Sequence, residues 1–448
     1  MNRNLMSASL LSLLILLATD QITHGDDNPL RTFFPYGVYI GGNNPMCEQE
    51  WDARDREAVA AAIDRACRDL AEHHMNAAWP NNLMRENIEL WLAAGRKHGV
   101  RIVPQGGGPP MFLRPAWFND KQDLIKKVGD FYRPLAEAHR DDPALLAWSL
   151  TEENAYLPWF HEGIGDLVRL MDQWDPNHPG IVMDNQAPGA WMVAQVIKPK
   201  ALVMDSYPFF ANGMSGPVEP IGHRSLWRRQ CRRMRHAAES IDAPYWMIGQ
   251  GMKLTNMRGR GQAVQIWRYP TAAEIRWQFW SALQEGATGL FYFAYAGHSQ
   301  REQGESMEGL RGPNMEETVQ FREAAELGRT LKQMAPLLLG LDVAPVHQQV
   351  EYWENTPVTA QTHVHRQTGQ RFMSVVNDDC ERIQRVGIEL GYWPRMLGED
   401  DRLFDLRSDR KFDYQSIKTA TLLPGDGTIY FVGTEEQWKT FSEDFYPK

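Results

Sequence analysis

The stretch Ala147–Asn154, AWSLTEEN, decides the fold. An apolar run rich in strand formers stops at a threonine, and two carboxylates and an amide follow at once. Charged groups rarely follow a buried strand without a polar purpose, because burying an unpaired charge is costly. Helical patterns flank the run on both sides, at residues 121–140 and 163–175. The local unit is therefore strand, polar strand end, helix.

Working outward, the same unit recurs. Strand-like runs lie at residues 34–40, 75–79, 101–105, 145–150, 180–184, 201–205, 245–250 and 289–295. Helical patterns separate most of them, at 54–74, 85–98, 121–140, 163–175, 225–240 and 271–286, with another at 316–334. In the first of these, Val59, Ala62, Ile63, Ala66 and Leu70 recur at helical spacing. Gly99 supplies the stop expected after the second. Eight strands alternating with helices predict an α/β fold of the (β/α)8 TIM-barrel type. A doubly wound sheet would bring a phosphate-binding glycine fingerprint after its first strand, and neither Gly41-Gly42 nor Gly106-Gly107-Gly108 supplies one.

Past Pro336 the texture changes. Runs at 358–364, 371–376, 384–390 and 427–432 are β-like and parted by turns, which predicts a small all-β, sandwich-like domain. The predicted organisation is a signal peptide over 1–25, a barrel over 26–338 and a β-domain over 339–448. The leader reading rests on Arg3 followed by the apolar run Leu10–Ala18, too short to span a bilayer. It predicts a secreted or periplasmic protein with no membrane span after the leader is removed.

The chain has 448 residues and a formal net charge of −10, with no basic block that would follow a phosphate backbone, so nucleic acid is not expected as a partner. The cluster Arg228, Arg229, Arg232, Arg233 and Arg235 reads as a solvated helix face. Sixteen tryptophans tilt the composition toward sugars, whose apolar faces stack on aromatic rings. The four cysteines, Cys47, Cys67, Cys231 and Cys380, are scattered, compatible with buried thiols or with any of three pairings. His363-Val364-His365 lies in the β-domain, where alternation puts both rings on one face, read as solvent. No metal site and no cofactor are expected.

In a barrel of this type the chemistry sits at the C-terminal ends of the strands. The polar residues there are Gln105, Glu152 with Glu153 and Asn154, Asp184 with Asn185, Asp205 with Tyr207, and Gln250. The AWSLTEEN strand end resembles that of the barrel glycoside hydrolases that include family-42-type β-galactosidases and related glucanases. Asp205-Ser206-Tyr207-Pro208, and the helix end Glu285-Gly286-Ala287 leading into an aromatic strand, extend the likeness. The resemblance implies a hydrolase of O-glycosidic bonds in an oligo- or polysaccharide. Glu153 matches the family's general acid/base, and Glu152 stands where Asn or Asp is usual. The chemistry agrees: a glycosidic oxygen leaves only when protonated, and a carboxylic acid with a raised pKa supplies the proton.

The seventh strand departs from the family. The nucleophile there is a Glu, and this chain has Gln250 with no Asp or Glu between Pro244 and Pro270. Asp205 is the first substitute carboxylate and Asp184 the second. Glu152, Asn154, Gln105, Asn185, Tyr207, Gln250, Trp79 and Trp246 are the expected substrate-binding groups, with Trp159 a further candidate platform. The departure leaves a second reading open, a carbohydrate-binding barrel without catalysis.

Overall fold

The computed structural model describes residues 28–46, 52, 54–106, 115–151, 157–185, 187–211, 220–256, 264–300, 305–345, 357–386, 400–408, 410–412 and 420–446. The leader segment, Glu152, Glu153, Asn154 and Cys47 lie outside the described residues.

Eight parallel strands form the core: β1 (Tyr36–Gly41), β2 (Ala77–Asn81), β3 (Arg101–Ile102), β4 (Trp148–Thr151), β5 (Gly180–Asp184), β6 (Leu202–Asp205), β7 (Tyr245–Gln250) and β8 (Gly289–Phe293). Their order is β3-β2-β1-β8-β7-β6-β5-β4. The ring closes between β3 and β4. There Ile102 N–H donates to Ala144 O (2.7 Å), Leu146 N–H to Ile102 O (2.9 Å) and Ser149 N–H to Pro104 O (3.2 Å). Eight helices follow the strands in turn: α1 (Arg56–Glu72), α2 (Ile88–His98), α3 (Lys121–His139), α4 (Pro158–Trp174), α5 (Ala187–Met192), α6 (Pro220–Glu239), α7 (Ala272–Gln284) and α8 (Val319–Leu338). The fold is a (β/α)8 barrel. The short α5, continued by a π-helical turn over Val193–Ile197, had no periodic signal, because Pro188 and Gly189 interrupt it.

Strand alternation divides the apolar residues into two cores. Tyr39, Trp79, Val103, Met183, Val203, Trp246, Ile248 and Phe291 fill the barrel interior. Tyr36, Val38, Trp148, Leu150, Val182, Met204, Met247 and Leu290 face outward into the helices.

The loops after β7 and β8 carry strands that the sequence reading did not anticipate. Lys253–Asn256 and Val264–Trp267 from the first, with His298–Gln300 and Glu305–Glu308 from the second, pair into a four-stranded antiparallel sheet. Lys253 Nζ meets Glu308 Oε1 across it at 2.8 Å. This sheet stands on the C-terminal side of the barrel.

After α8 the chain forms an antiparallel sheet of six strands, Leu341–Val343, Val358–His365, Arg371–Asn377, Gly427–Gly433, Arg402–Asp405 and Lys411–Phe412, in that spatial order. A final helix, α9 (Glu435–Phe445), covers part of one face, a departure from the all-strand texture expected there. Its signal was present: Thr434 and Gln437 make a reciprocal capping box, and Trp438, Phe441 and Phe445 follow at helical spacing.

Two further expectations are overturned by what packs on this sheet. His363 and His365 do share a face, but it is buried, at 2% and 3% exposure. His363 Nε2 lies 2.8 Å from Ser374 Oγ, and the His365 ring packs on Phe441 and Phe445. The arginine cluster on α6 is likewise not one solvated face. Arg228 is buried, contacting Asp378 Oδ1 (2.6 Å), Thr359 Oγ1 (2.8 Å) and Gln284 Oε1 (2.5 Å). Burial acts to lower its pKa, yet Asp378 and Glu285 hold it above the ordinary value. Arg232 and Arg235 close on Glu285, which is 1% exposed, while Arg229 and Arg233 face solvent. The helix turns its arginines toward the β-domain and α7 because partners wait there.

Cys67 and Cys231 are free, buried thiols. Burial pushes the Cys67 thiol up to about 12 and Cys231 higher still. Among the described residues, no helix is long and apolar enough to cross a membrane.

Candidate functional site

Strand register sorts the candidate residues by height and by side. Trp246 pairs with Gly289, the first residue of β8, so it belongs to the floor of the barrel, at the end away from the loops that carry chemistry. A β-carbon on Gly289 would sit 2.5 Å from the Trp246 ring, which explains the glycine there. Trp79 lies higher, paired with Tyr39. Both indoles are fully buried and pack on Phe291, with centroids 5.4 and 6.1 Å away. The expectation that they offer free stacking faces is therefore corrected: they fill the barrel. Trp159, at the start of α4, is partly buried against Phe160.

Asp205 ends β6 opposite Ile248. Val203 and Ile248 both belong to the interior core, so alternation turns the Asp205 side chain inward, at the mouth, where it is 5% exposed. Asp184 ends β5 opposite Met204, an outward residue, so its register is the outer one. The two strand-end aspartates thus stand on opposite sides of the barrel wall. Asn185 follows β5 and is partly exposed.

Gln105 and Ser149 meet at the β3–β4 seam and are both fully buried. The Tyr39 hydroxyl donates to Gln105 Oε1 at 2.6 Å. Ser149 takes the inward register, opposite the interior Ile181, and the strand bulges before Thr151, which pairs with Val182. Ser149 Oγ has no hydrogen-bond partner among the described residues. Tyr39 and Ser149 escaped the sequence reading, which looked only for polar groups at the last position of each strand.

Gln250 ends β7 at the inward register, opposite Phe293. Its amide is consumed by backbone. Oε1 accepts from Phe209 N–H (2.8 Å), while Nε2 donates to Arg268 O (2.7 Å), Met252 O (3.2 Å) and Phe209 O (3.3 Å). Gln278 of α7 grips the Gln250 backbone in turn, accepting from its N–H at 2.7 Å and donating to its O at 3.0 Å. Arg268 is held by a two-pronged contact with Glu274 (2.7 and 2.5 Å), the residue that completes the capping box of α7. The expected role of Gln250 as a ligand group is thereby corrected. It ties the β6–α6 loop to the β7–α7 loop, and its fully buried side chain has no donor left over for a hydroxyl.

Tyr207 follows Asp205 by two positions and is partly exposed. Its ring packs on Phe293 (5.5 Å) and on Trp267 (5.6 Å) of the excursion sheet. Trp267 lies between the predicted seventh strand and the helix after it, and nothing local marks it as a neighbour of β6.

A cavity of about 260 Å³ lies at the opposite, N-terminal end of β7 and β8, lined by Arg31, Arg235, Asp242, Tyr245, Asp342 and Arg366 among others. Its charges are mutually paired, Arg31 with Asp242 and Arg366 with Asp342 (2.7 Å), and strand ends of this polarity do not carry barrel chemistry. Among the described residues, no group of three or more His, Cys, Asp or Glu side chains is placed to hold a metal ion.

No protein-family model matches the chain, and no curated protein does. Similar solved structures include the β-glucuronidase of Ruminococcus gnavus, at 12% identity and TM-score 0.48, covering 66% of this chain and 50% of that one. The same enzyme with D-glucuronic acid gives 12% identity and TM-score 0.48 over 66% and 49%. With D-glucaro 1,5-lactone it gives 12% identity and TM-score 0.47 over 66% and 50%. The chain thus spans about half the length of these structures, and no residue role or substrate passes from them to it.

Proposed function

We propose that the protein is an exported glycoside hydrolase that cleaves O-glycosidic bonds in an oligo- or polysaccharide. Glu153 is the proton donor to the leaving oxygen, and Asp205 is the second carboxylate. The observation that carries the reading is the inward register of Asp205 at the barrel mouth, beside a half-exposed aromatic wall. Glu153 follows the last residue of β4, Thr151, by two positions. A carboxylate facing the sugar can stabilise the oxocarbenium-like transition state, either as nucleophile or by activating water. Asp184, on the outer register, supports the strand end instead.

The test is a broad glycan panel on the purified protein, with product anomers followed by NMR. Glu153→Gln and Asp205→Asn should each lower kcat about a hundredfold or more at unchanged unfolding temperature. Full turnover in either variant removes that residue from the mechanism. Removal of the segment 1–25 on export is checked by N-terminal sequencing of the exported protein.

A specific observation favours a second reading, a barrel that binds sugar without cleaving it: the β7 end presents an immobilised amide instead of a carboxylate. This reading predicts saturable binding with no product from any member of the panel. A product whose formation needs Glu153 eliminates it.

A further inference from the structure

Six rings form an unbroken series from the barrel interior to its rim. Trp79 packs on Tyr39 (centroids 6.0 Å apart), Tyr39 on Phe293 (5.4 Å), Phe293 on Tyr207 (5.5 Å), Tyr207 on Trp267 (5.6 Å) and Trp267 on Phe210 (5.9 Å). Exposure changes along it. The first two are buried, and the last four are all partly exposed. The series passes directly beside the Asp205 strand end and leaves the barrel along the excursion sheet.

The outer rings are held stiffly. Phe210 and Trp267 face each other across an antiparallel bridge. Ala211 N–H donates to Ile266 O (2.9 Å) and Arg268 N–H to Phe209 O (3.0 Å). The buried Gln250 amide then clamps Phe209 and Arg268, the residues next to those two rings. A hairpin and a buried amide therefore fix these partly exposed rings in place, with Tyr207, Trp267 and Phe293 seated on the buried Met252, Ala294 and Met307. The Trp267 Nε1–H is also buried without a hydrogen-bond partner among the described residues. Trp79, Trp246 and Trp280 share that state, so it is the partly exposed ring face of Trp267 that is open to a ligand.

We propose that Trp267, with Tyr207, is a stacking platform for the sugar unit next to the one at Asp205, so that the ligand is a glycan chain and not a single glycoside. A pyranose offers an apolar C–H face, matching the partly exposed faces of the Trp267 and Tyr207 rings. The inference rests on the carbohydrate reading above and adds the length of chain that the site recognises. Preorganisation of the bridged rings is what makes the platform effective.

The test measures affinity by calorimetry on the full chain carrying Glu153→Gln, so that ligand is not consumed. The probes are gluco-, xylo- and galacto-oligosaccharide series of one to four units. Affinity should rise with chain length in at least one series. Trp267→Leu, which keeps apolar bulk but loses the ring face, should remove about tenfold of that gain. Trp267→Phe should keep most of it. Affinity flat with length, or a length gain untouched by Trp267→Leu, overturns the inference. If single sugars bind without a length gain, only this inference fails. If nothing in any series binds, the carbohydrate reading itself fails with it. Should Trp267→Leu unfold, the length gain of the Trp267-bearing protein and of Trp267→Phe decides the matter.

Discussion

A glutamine amide carries two N–H donors and a carbonyl acceptor, and at position 250 the backbone takes all of them. The sequence displayed Gln250 where the resembled hydrolases carry a carboxylate, but not what the amide touches. Its partners sit on the β6–α6 loop and in the β7–α7 loop, and no spacing rule links them. The consequence is specific. Gln250→Glu would aim a carboxylate at three carbonyl oxygens and remove the donors that hold them. We expect it to destabilise the protein by about 3 kcal/mol and to add no glycosidase activity. Thermal unfolding and the glycan panel check both parts, and a stable, more active variant would contradict the clamp. Asp184 and Asp205 teach the same lesson. Both end strands, and both were legible as strand-end carboxylates. Only the register with Met204 and Ile248 separates the outer from the inner one.

At the scale of elements, α6 and α9 show why helical pattern alone misjudged a surface. Five arginines in one short stretch look solvated until α7 and the β-domain bring up Glu285 and Asp378. Arg228→Met removes the guanidinium that bridges Asp378, Thr359 and Gln284, while the Trp277 indole N–H (2.7 Å) still donates to the carboxylate. The loss should be about 2 kcal/mol by denaturant unfolding, because a buried guanidinium and its bonds to a partly exposed carboxylate are removed together. Asp378→Asn in the Arg228→Met background should recover part of it, a result that simple loss of packing would not produce. Helix α9 contributes through apolar contact. Phe441 meets Phe372, Phe431 and His365 at ring distances of 5.3, 5.6 and 5.2 Å. Phe441→Ala should cost about 3 kcal/mol, read as a lower unfolding midpoint with unchanged barrel chemistry.

For the whole molecule, the joint between sheet and barrel makes stability sensitive to acid. Burial, with Arg235 nearby, lowers His363 to about 3, against about 6.5 for an unfolded histidine. Burial lowers His365 as well. The His363 ring is therefore neutral in the folded protein at moderately acidic pH, when the unfolded chain already binds its proton. The His363 contribution is fully present above about pH 6.5 and is lost as pH falls toward about 3, by on the order of 4 kcal/mol, and His365 acts in the same direction. Denaturant unfolding from pH 7.5 to 4 should show this decline, and His363→Gln should flatten it; equal slopes in the two proteins would refute the assignment. Alternation of strands and helices, the eight-fold count, the change of texture after α8 and the carboxylates at strand ends were all set by the sequence itself, because hydrophobic period and capping are properties of near neighbours. Closure of the ring at Ile102 and Ser149, the excursion sheet, the inward turn of Asp205, the burial of Arg228 and His363 and the use of Gln250 were decided by tertiary structure. Whether a polar group is solvated, paired or aimed at a ligand depends on partners that only the closed barrel and its attached sheet bring within hydrogen-bonding distance.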